Sequence, residues 1–433
     1  MSQGMIRDGK ALLKKLEDAG HEAYFVGGYV RDSYLKRGIK DIDIATSALP
    51  EQVMELFDSC IPTGLHHGTV TVMIGSVGFE VTTFRKESEY EAHRRPSGVE
   101  FIRSLEEDLR RRDFTMNAMA MDRKGRIRDP FGGRKDLEQG ILRCVGDPEL
   151  RFREDALRML RCIRFASHYD LEVEEATWSG LQGNIRLLQH VAMERVRAEL
   201  ERLVAGDHPY RGLRLIADSR LLRHTKVKLQ LPWVHWTVQE LPDALASIGG
   251  LPNPAHRWML LAHLMSLSPQ SAVEEGGKLT FSGKQIARMS RFLSFSQRLR
   301  EQLDAMRELD PLSCALIWKE NVVTIGSECA QDWLDVFGVV PAALPSTDNG
   351  GGRWTIFLER GRMWLQEMPV RKAADLALNG QQLAAHLKRE PGPWLGRALM
   401  KLTLEAAAGH VPNNRKDLLV FAESLTREWK NDA

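Results

Sequence analysis

The apolar residues of the N-terminal part follow two different periods, which together predict alternating helices and strands. Residues 5–19 repeat apolar side chains at helical spacing up to Gly20, whereas 23-AYFVGGYV-30 has the character of a strand that runs into a Gly-Gly turn. Residues 31–37 are typical of a helix start. The segment 41-DIDIAT-46 alternates polar and apolar residues, as a half-buried strand does.

Further strands are indicated before residue 147. The segments 68-GTVTVMIG-75 and 78-GFEVTTFR-85 predict a hairpin joined through residues 76–78. The segment 127-IRDPFGG-133 indicates a short strand and a turn. The N-terminal part is therefore predicted to be a small domain of mixed helix and strand.

After Pro148 the apolar period becomes that of helices. Residues 149–225 place apolar side chains three and four positions apart, and the rest of the chain is also mainly helical in pattern. The segment 344-LPSTDNGGG-352 is typical of a mobile loop. Breaks rich in Pro and Gly are predicted near residues 250–254, 268–277 and 341–352.

Composition narrows the class of protein. Apolar residues make up 43% of the 433 residues and the formal net charge is +2, so the chain can form more than one core and is not a polycation. The five cysteines include no CxxC pair, which argues against a disulfide framework or a zinc site and favours a reducing compartment. No signal peptide and no apolar run of about 18 residues is present, so we expect a cytoplasmic protein without membrane contact.

Two acidic residues on the DIDIAT segment suggest a metal site. Strand geometry points Asp41 and Asp43 to one face and the isoleucines between and after them to the other. A pair of carboxylates on one face is what two Mg²⁺ ions need to bridge an attacking hydroxyl and the phosphates of a nucleotide. Gly28 and Arg31, about a dozen residues earlier, suit close approach to a triphosphate. A solvated strand-turn-helix is the alternative.

The segment 25-FVGGYVRDSYLKRGIKDIDIATSA-48 resembles the signature of the class II branch of the polymerase-β-like nucleotidyltransferases. That family holds bacterial CCA-adding enzymes and poly(A) polymerases. The resemblance implies that Asp41 and Asp43 bind catalytic Mg²⁺ and that Gly28 and Arg31 contact the incoming nucleotide. Glu80 is either a further carboxylate near the metals or a solvent-facing strand residue.

The segment 147-DPELRFREDALRMLRCIRFA-166 carries a second motif. On one continuous helix, Glu154 and Asp155 would lie four and three residues before Arg158. An amphipathic helix with ordinary ion pairs is the alternative interpretation. The family resemblance implies that Asp155 and Arg158 read the base edges of C and A, and that Arg161 and Arg164 lie along the nucleotide.

Three further segments resemble the family. In 111-RRDFTMNAMAMD-122, Arg112 is implied to contact the nucleotide, Asp113 to orient its neighbours and Asn117 to assist with the sugar. Residues 85–96 resemble the flexible loop that helps to switch specificity from CTP to ATP, and the loop is intact, which favours addition of all three nucleotides. In residues 192–206, Glu194 and Arg195 are implied to support the selecting helix.

The resemblance covers nearly the whole chain and implies a fold, an activity and partners. The expected fold is an α+β nucleotidyltransferase head with an antiparallel or mixed sheet, followed by an all-helical neck, body and tail. The expected boundaries are 1–147 for the head, 148–207 for the neck, 208–300 for the body and 301–433 for a tRNA-binding tail. The expected activity is the addition of C, C and A to the 3′ end of tRNA, with CTP and ATP as substrates. The expected assembly is a homodimer.

Two kinds of rival remain at this point. One is a relative with the same site that adds only CC, only A, or a poly(A) tail. The other, from a different class, is a catalytically inactive RNA-binding protein, against which the intact pair Asp41 and Asp43 argues.

Overall fold

The structure is a computed structural model that describes residues 2–39, 41–87, 90–91, 95–96, 99–306, 310–345 and 352–425. The chain divides into two compact units, Met1–Glu240 and Leu241–Ala433. The first unit contains all the described strands and ten helices, and the second is helical. The predicted α+β fold class with a helical remainder is confirmed. The four boundaries predicted from the family stay a prediction.

The first unit begins with strands and short helices that alternate along the chain. Its strands are β1 Ala23–Val26, β2 Asp43–Thr46, β3 Cys60–Gly64, β4 Thr69–Ile74, β5 Val77–Thr83, β6 Arg85–Glu87, β7 Tyr90–Glu91, β8 Arg95–Pro96, β9 Val99–Phe101, β10 Ala120–Met121, β11 Ile127–Arg128, β12 Ile141–Leu142 and β13 Glu172–Val173. Its helices are α1 Ser2–Asp18, α2 Gly28–Tyr34, α3 Pro50–Leu56, α4 Leu105–Arg110, α5 Gly133–Glu138, α6 Pro148–Glu154, α7 Leu157–His168, α8 Glu175–Asn184, α9 Met193–Ala205 and α10 Pro209–Ser219.

Seven strands form one mixed sheet in the order β11-β10-β1-β2-β5-β4-β3. Strand β2 lies in the middle, antiparallel to β1 and parallel to β5. The alternation of side chains buries Ile42 and Ile44, which are 3% and 0% exposed, and leaves Asp41 and Asp43 on the accessible face. The predicted hairpin exists, but its turn is Gly75-Ser76 because Ile74 pairs with Val77 and the strand already includes Gly78.

Helices α6 and α7 are separated by a break, which differs from the single helix that the sequence pattern predicted. Asp155 has extended backbone angles (φ −137°, ψ 105°), so α6 ends at Glu154. The Asp155 carboxylate accepts a hydrogen bond from the backbone N–H of Leu157 at 3.1 Å and thereby starts α7. Asp155 and Arg158 therefore do not lie one turn apart on one helix surface.

Residues 85–96, predicted to be a flexible loop, contain paired strand segments where the structure describes them. Strand β6 pairs with β9, and β7 pairs with β8, both antiparallel. Residues 88–89 and 92–94 lie outside the described residues, as does most of the predicted mobile loop 344–352.

The second unit is built from nine described helices. They are α11 Pro254–Leu264, α12 Pro269–Lys278, α13 Gly283–Asp304, α14 Pro311–Ile325, α15 Ser327–Val339, α16 Gly352–Glu367, α17 Gly380–His386, α18 Pro393–Ala408 and α19 Arg415–Ser424. The break predicted at 268–277 is wrong, because Ser268 caps α12 and Pro269 occupies its first turn, where proline is tolerated. None of the described helices is long and apolar enough to cross a membrane.

A buried ion cluster joins three helices of the second unit. Asp332 on α15 is 4% exposed and accepts hydrogen bonds from Arg288 of α13 at 2.6 and 3.0 Å. The ring of His256 on α11 lies 3.0 Å from the same carboxylate. Burial alone would raise the pKa of Asp332, but these two partners outweigh it and hold that pKa below its ordinary value. The cluster therefore stabilises the packing of α11, α13 and α15.

Candidate active site

The accessible face of the central sheet carries three acidic residues. Asp43 begins β2 and is in register with Glu80 on the neighbouring strand β5, while Asp41 lies two residues earlier on the same face. Glu80, for which the sequence left two interpretations open, is thus directly beside Asp43. Among the described residues, however, no group of three or more His, Cys, Asp or Glu side chains is close enough to hold a metal ion alone.

The electrostatics of Asp43 show how these acids act on each other. The protein packed around the Asp43 carboxylate, together with the negative charges of Glu80 and Asp41, raises its pKa to about 6. Arg112 opposes this rise but does not cancel it. A divalent cation would neutralise this excess of negative charge, and carboxylate oxygens are the ligands that Mg²⁺ prefers. The residues present therefore fit a metal shared between Asp41, Asp43 and the phosphates of a bound nucleotide.

The turn between β1 and α2 brings the backbone close to these acids. Gly27 has φ +65°, a conformation that favours glycine. A Cβ atom at this position would lie 3.3 Å from Arg112 Nη1 and 3.7 Å from Asp43 Oδ2. The missing side chain therefore lets Arg112 approach Asp43. Gly28 is the first residue of α2, so its φ and ψ are helical. Gly27 therefore forms the turn, and Gly28 begins the helix.

Arg31 is buried and fixed from several sides. Its Nε and Nη2 each donate to Asp32 at 3.0 Å, and Nη1 donates to Asn117 Oδ1 at 2.6 Å. The guanidinium lies 4.4 Å from the ring centre of Tyr169, whose hydroxyl donates to Asp32 at 2.8 Å. Residues of the head and of the following helices thus hold Arg31 in one orientation.

Asp113 links the head to helix α7. Its Oδ2 accepts hydrogen bonds from Arg161 at 2.8 and 2.5 Å, and its Oδ1 accepts one from Asn117 at 3.0 Å. Burial alone would raise the pKa of Asp113, but Arg161 and Asn117 outweigh it and hold that pKa well below the ordinary range. Asp113 is therefore ionised at neutral pH and orients both partners.

The next arginine on α7, Arg164, is held by a different acid. Glu199 on α9 is 2% exposed and accepts a hydrogen bond from Arg164 Nε at 2.5 Å. The same carboxylate accepts a hydrogen bond from Arg202 Nη1 at 2.8 Å. The ring of Phe165 lies 3.9 Å from the Arg164 guanidinium. Helix α9 thus positions Arg164 and Arg202 side by side.

The two residues expected to read the base have protein partners in this structure. Asp155 accepts hydrogen bonds from Arg195 of α9 at 2.9 and 3.4 Å. Arg158 is 8% exposed and donates to Glu154 at 2.6 Å and to the backbone carbonyls of Arg111 and Arg151 at 3.0 and 3.3 Å. In this arrangement a base edge would have to replace one of these partners before Arg158 could bind it.

A cavity of about 600 Å³ opens beside the acids. Among the predicted site residues, those that line it are Gly28, Arg31, Asp41, Asp43 and Arg164. Arg112 does not line the cavity, but its charge acts on Asp43. Arg161 is linked to the cavity residue Arg31 through Asp113 and Asn117. Asp155 and Arg158 do not line the cavity. The structure thus brings the metal-binding and phosphate-binding candidates together, with the base-reading candidates at the other end of α7.

Several residues of this region were not found from the sequence. Asp108 is 1% exposed and binds Arg111 and Arg112 through its two carboxylate oxygens. Asp108 lies four residues before Arg112, a spacing at which side chains on a helix can pair. This spacing could have indicated the contact from the sequence. Tyr169 gave no such signal, because its partner Asp32 is distant in the sequence. Glu199 lies three residues before Arg202 on α9, a helical pair that could also have indicated it, whereas its contact with Arg164 is distant in the sequence.

Comparisons with known proteins identify the family of this chain. Residues 23–143 match the model of the poly A polymerase head domain, residues 170–226 that of a probable RNA and SrmB-binding site of polymerase A, and residues 358–422 that of tRNA nucleotidyltransferase domain 2. The CCA-adding enzyme of Limosilactobacillus reuteri is 36% identical over 97% of this chain and 96% of its own length. That of Geobacillus kaustophilus is 36% identical over 96% of both.

A solved structure extends the likeness to three dimensions. The CCA-adding enzyme of Bacillus stearothermophilus, crystallised in complex with CTP, is 32% identical, covers 99% of both chains and superposes with a TM-score of 0.80. The Thermotoga maritima enzyme complexed with tRNA shares the fold with a TM-score of 0.65 at 21% identity. The chain therefore belongs to the bacterial class II CCA-adding enzymes, a family of tRNA nucleotidyltransferases with a polymerase-type head.

Proposed function

We propose that this protein adds C, C and A in turn to the 3′ end of tRNA, using CTP and ATP without a nucleic-acid template. The observation that carries the proposal is that Asp43, at the start of the central strand β2, and Asp41, two residues before it, line one cavity together with Arg31 and Arg164. Full-length similarity to CCA-adding enzymes supports the choice of substrates.

The proposed reaction is an in-line displacement at phosphorus. The 3′ hydroxyl oxygen of the tRNA forms a bond to the α-phosphorus and gives up its proton to water. The bond from that phosphorus to the pyrophosphate oxygen breaks at the same time, and its electron pair stays on the pyrophosphate. Asp41 and Asp43 would hold divalent cations, for which we propose Mg²⁺. When bound, the cations would neutralise charge on the phosphates and lower the pKa of the attacking hydroxyl. Arg31, which Asp32 and Asn117 hold in one orientation on the cavity wall, is proposed to contact the triphosphate.

The remaining contacts with the nucleotide are proposed to be made by residues along α7 and just before it. Asp155 and Arg158, near its start, are proposed to read the amino group and ring nitrogen of C or A, which U and G do not present in the same pattern. Arg161, oriented by Asp113, and Arg164, oriented by Glu199, are proposed to follow the sugar and phosphates. The partly exposed Arg195, which donates hydrogen bonds to Asp155, is proposed to hold that carboxylate in place.

Replacement of the acids tests the metal site. Asp41→Ala and Asp43→Ala should each abolish nucleotide incorporation while leaving the Kd for tRNA unchanged, because neither carboxylate is proposed to bind the RNA body. Glu51→Ala, at an exposed position of the same unit, is the control and should incorporate normally. Incorporation that survives in Asp43→Ala would refute the site. Activity with Mg²⁺ compared with other divalent cations tests the choice of metal.

An assay with tRNA lacking CCA and single nucleotides separates the possible specificities. We expect CTP alone to extend the RNA by two residues, and ATP to add the last residue only after CTP. Extension by ATP alone, or a run of A residues, would show a different specificity within the same family.

Assembly and location complete the proposal. We propose a homodimer, as the family resemblance implies, and light scattering in solution tests it. We propose a cytoplasmic location, where tRNA is processed, and fractionation of cells tests it.

A further inference from the structure

Arg112 lies between two acidic residues but is bonded to only one of them. Its Nη2 donates a hydrogen bond to Asp108 Oδ2 at 3.3 Å. On the other side, a Cβ atom at Gly27 would lie 3.3 Å from Arg112 Nη1 and 3.7 Å from Asp43 Oδ2. Among the residues that the structure describes, however, no hydrogen bond or ion pair joins Arg112 to Asp43. Arg112 is therefore close to the proposed metal ligand while a different acid holds it.

Asp108, on α4, is itself fixed inside the protein. It is 1% exposed, and its Oδ1 accepts hydrogen bonds from Arg111 Nε at 2.9 Å and from the backbone N–H of Arg85 at 3.3 Å. Burial alone would raise the pKa of Asp108, but Arg112 and Arg111 outweigh it and hold that pKa below its ordinary value. Asp108 is therefore a buried anion at neutral pH, and Arg112 is not the only group that determines its position.

Asp43 is the carboxylate to which Arg112 would turn if it lost Asp108. Burial raises the pKa of Asp43 and the charge of Arg112 opposes that rise, so the guanidinium is close enough to act on this carboxylate. The side chain of Arg112 is only 18% exposed, so water cannot fully replace a lost anionic partner. A cation that binds Asp43 would then have to displace an arginine from it.

We propose that Asp108 is a positioning residue, which holds Arg112 beside Asp43 and prevents these two residues from pairing. This inference rests on the proposed function, because it assigns Asp43 to a divalent cation. As long as Arg112 donates to Asp108, the Asp43 carboxylate remains available to that cation. Asp108 thus acts on the metal site through Arg112, without being a metal ligand.

Binding of Mn²⁺ alone, measured by electron paramagnetic resonance on the enzyme without nucleotide, tests the inference independently of catalysis. Carboxylates bind Mn²⁺ as they bind Mg²⁺. Asp108→Asn should raise the Kd for Mn²⁺ about tenfold, because Arg112 then competes with the cation for Asp43. Arg112→Gln removes the competitor, so the double variant Asp108→Asn, Arg112→Gln should have the same Kd as Arg112→Gln. Glu107→Gln is the matched control, since it removes an acid from an exposed position of α4 and should leave the Kd unchanged.

The double variant separates this role of Asp108 from a purely structural one. Equal weakening of Mn²⁺ binding in Asp108→Asn and in the double variant would overturn the inference, as would wild-type affinity in Asp108→Asn or a wild type that does not bind Mn²⁺. A wild type that binds Mn²⁺ as expected but never incorporates CTP would instead refute the proposed function.

Arg112→Gln alone decides the question if circular dichroism shows that Asp108→Asn does not fold. An arginine that Asp108 already keeps away from Asp43 repels the cation only across solvent, so its removal should tighten Mn²⁺ binding by no more than about threefold. A gain of tenfold or more would show that Arg112 already pairs with Asp43 in the wild type, which contradicts the inference.

Discussion

Replacement of Arg158 by alanine should have two separable effects, one on stability and one on base choice. The guanidinium is 8% exposed and binds Glu154 and the carbonyls of Arg111 and Arg151. Its removal takes away one charge-assisted hydrogen bond, worth about 1.5–3 kcal/mol, and two weaker ones of about 1 kcal/mol each. Glu154 is 27% exposed and keeps Arg151 as a partner, which reduces the loss. We therefore expect about 3 kcal/mol less stability for the first unit.

The effect on base choice is estimated from the contact that Arg158 is proposed to make. A bidentate contact to a base edge contributes about 1–3 kcal/mol of discrimination. The ratio of kcat/KM for CTP to that for UTP should therefore fall by a factor of roughly 5 to 150. The Kd for tRNA should change little, because Arg158 is not proposed to bind the RNA.

Urea unfolding of the first unit and single-turnover incorporation of each nucleotide measure the two effects. Arg153→Ala is the matched control, since Arg153 is on α6 and forms an exposed pair with Glu149, both 54% exposed. It should lose no more than about 1 kcal/mol and keep its selectivity. If Arg158→Ala discriminates against UTP and GTP as the wild type does, Arg158 does not read the base. If Arg158→Ala is as stable as Arg153→Ala, the hydrogen bonds of Arg158 do not contribute to the stability of the first unit.

Three further predictions follow from buried groups. Asp113→Asn should destabilise the first unit most at neutral pH, because the pKa of Asp113 in the folded protein lies below its ordinary value of about 3.9. The stabilisation by the ionised carboxylate is therefore fully present above that ordinary value and is lost as the pH falls through the folded pKa. Urea midpoints of wild type and variant that converge from pH 7 to 4 and 3 would show this loss. Gly27→Ala should lower stability by about 1–2 kcal/mol through its positive φ and raise the KM for CTP by displacing Arg112, whereas Gly183→Ala, which meets no atom within 4 Å, should do neither. Asp332→Ala should destabilise the second unit by about 3 kcal/mol, because the buried His256 and the partly exposed Arg288 both lose their carboxylate partner. A second unit as stable as the wild type in urea would contradict this.

The face of the sheet that carries the acids could be predicted from the sequence. Two isoleucines alternate with Asp41 and Asp43, and burial of the isoleucines leaves only one orientation for the acids. The turn at Gly27 could also be predicted, because a glycine directly after a strand is typical of a turn with a positive φ. Few other residues tolerate the backbone angles that Gly27 adopts. Local patterns of this kind are decided within a few residues of the chain.

The partners of the arginines could not be predicted in this way. Arg161 binds Asp113, 48 residues earlier, and Arg195 binds Asp155, 40 residues earlier. Such pairs depend on how α7 and α9 pack, which helical spacing alone does not determine. The break at Asp155 was missed because one helix and two consecutive helices give the same spacing of apolar residues on either side of it. The break at 268–277 was wrong because a proline can begin a helix as well as end one.

The central position of β2 has a consequence for how the enzyme can vary. Both edges of this strand are occupied by backbone ladders, to β1 and to β5, so the carboxylate of Asp43 is attached to a strand that is held on both sides. Surface turns such as Gly75-Ser76 join strands without touching Asp41 or Asp43. A short peptide tag inserted at that turn should leave the chemistry intact, which makes the turn a suitable place to attach a fluorescent label.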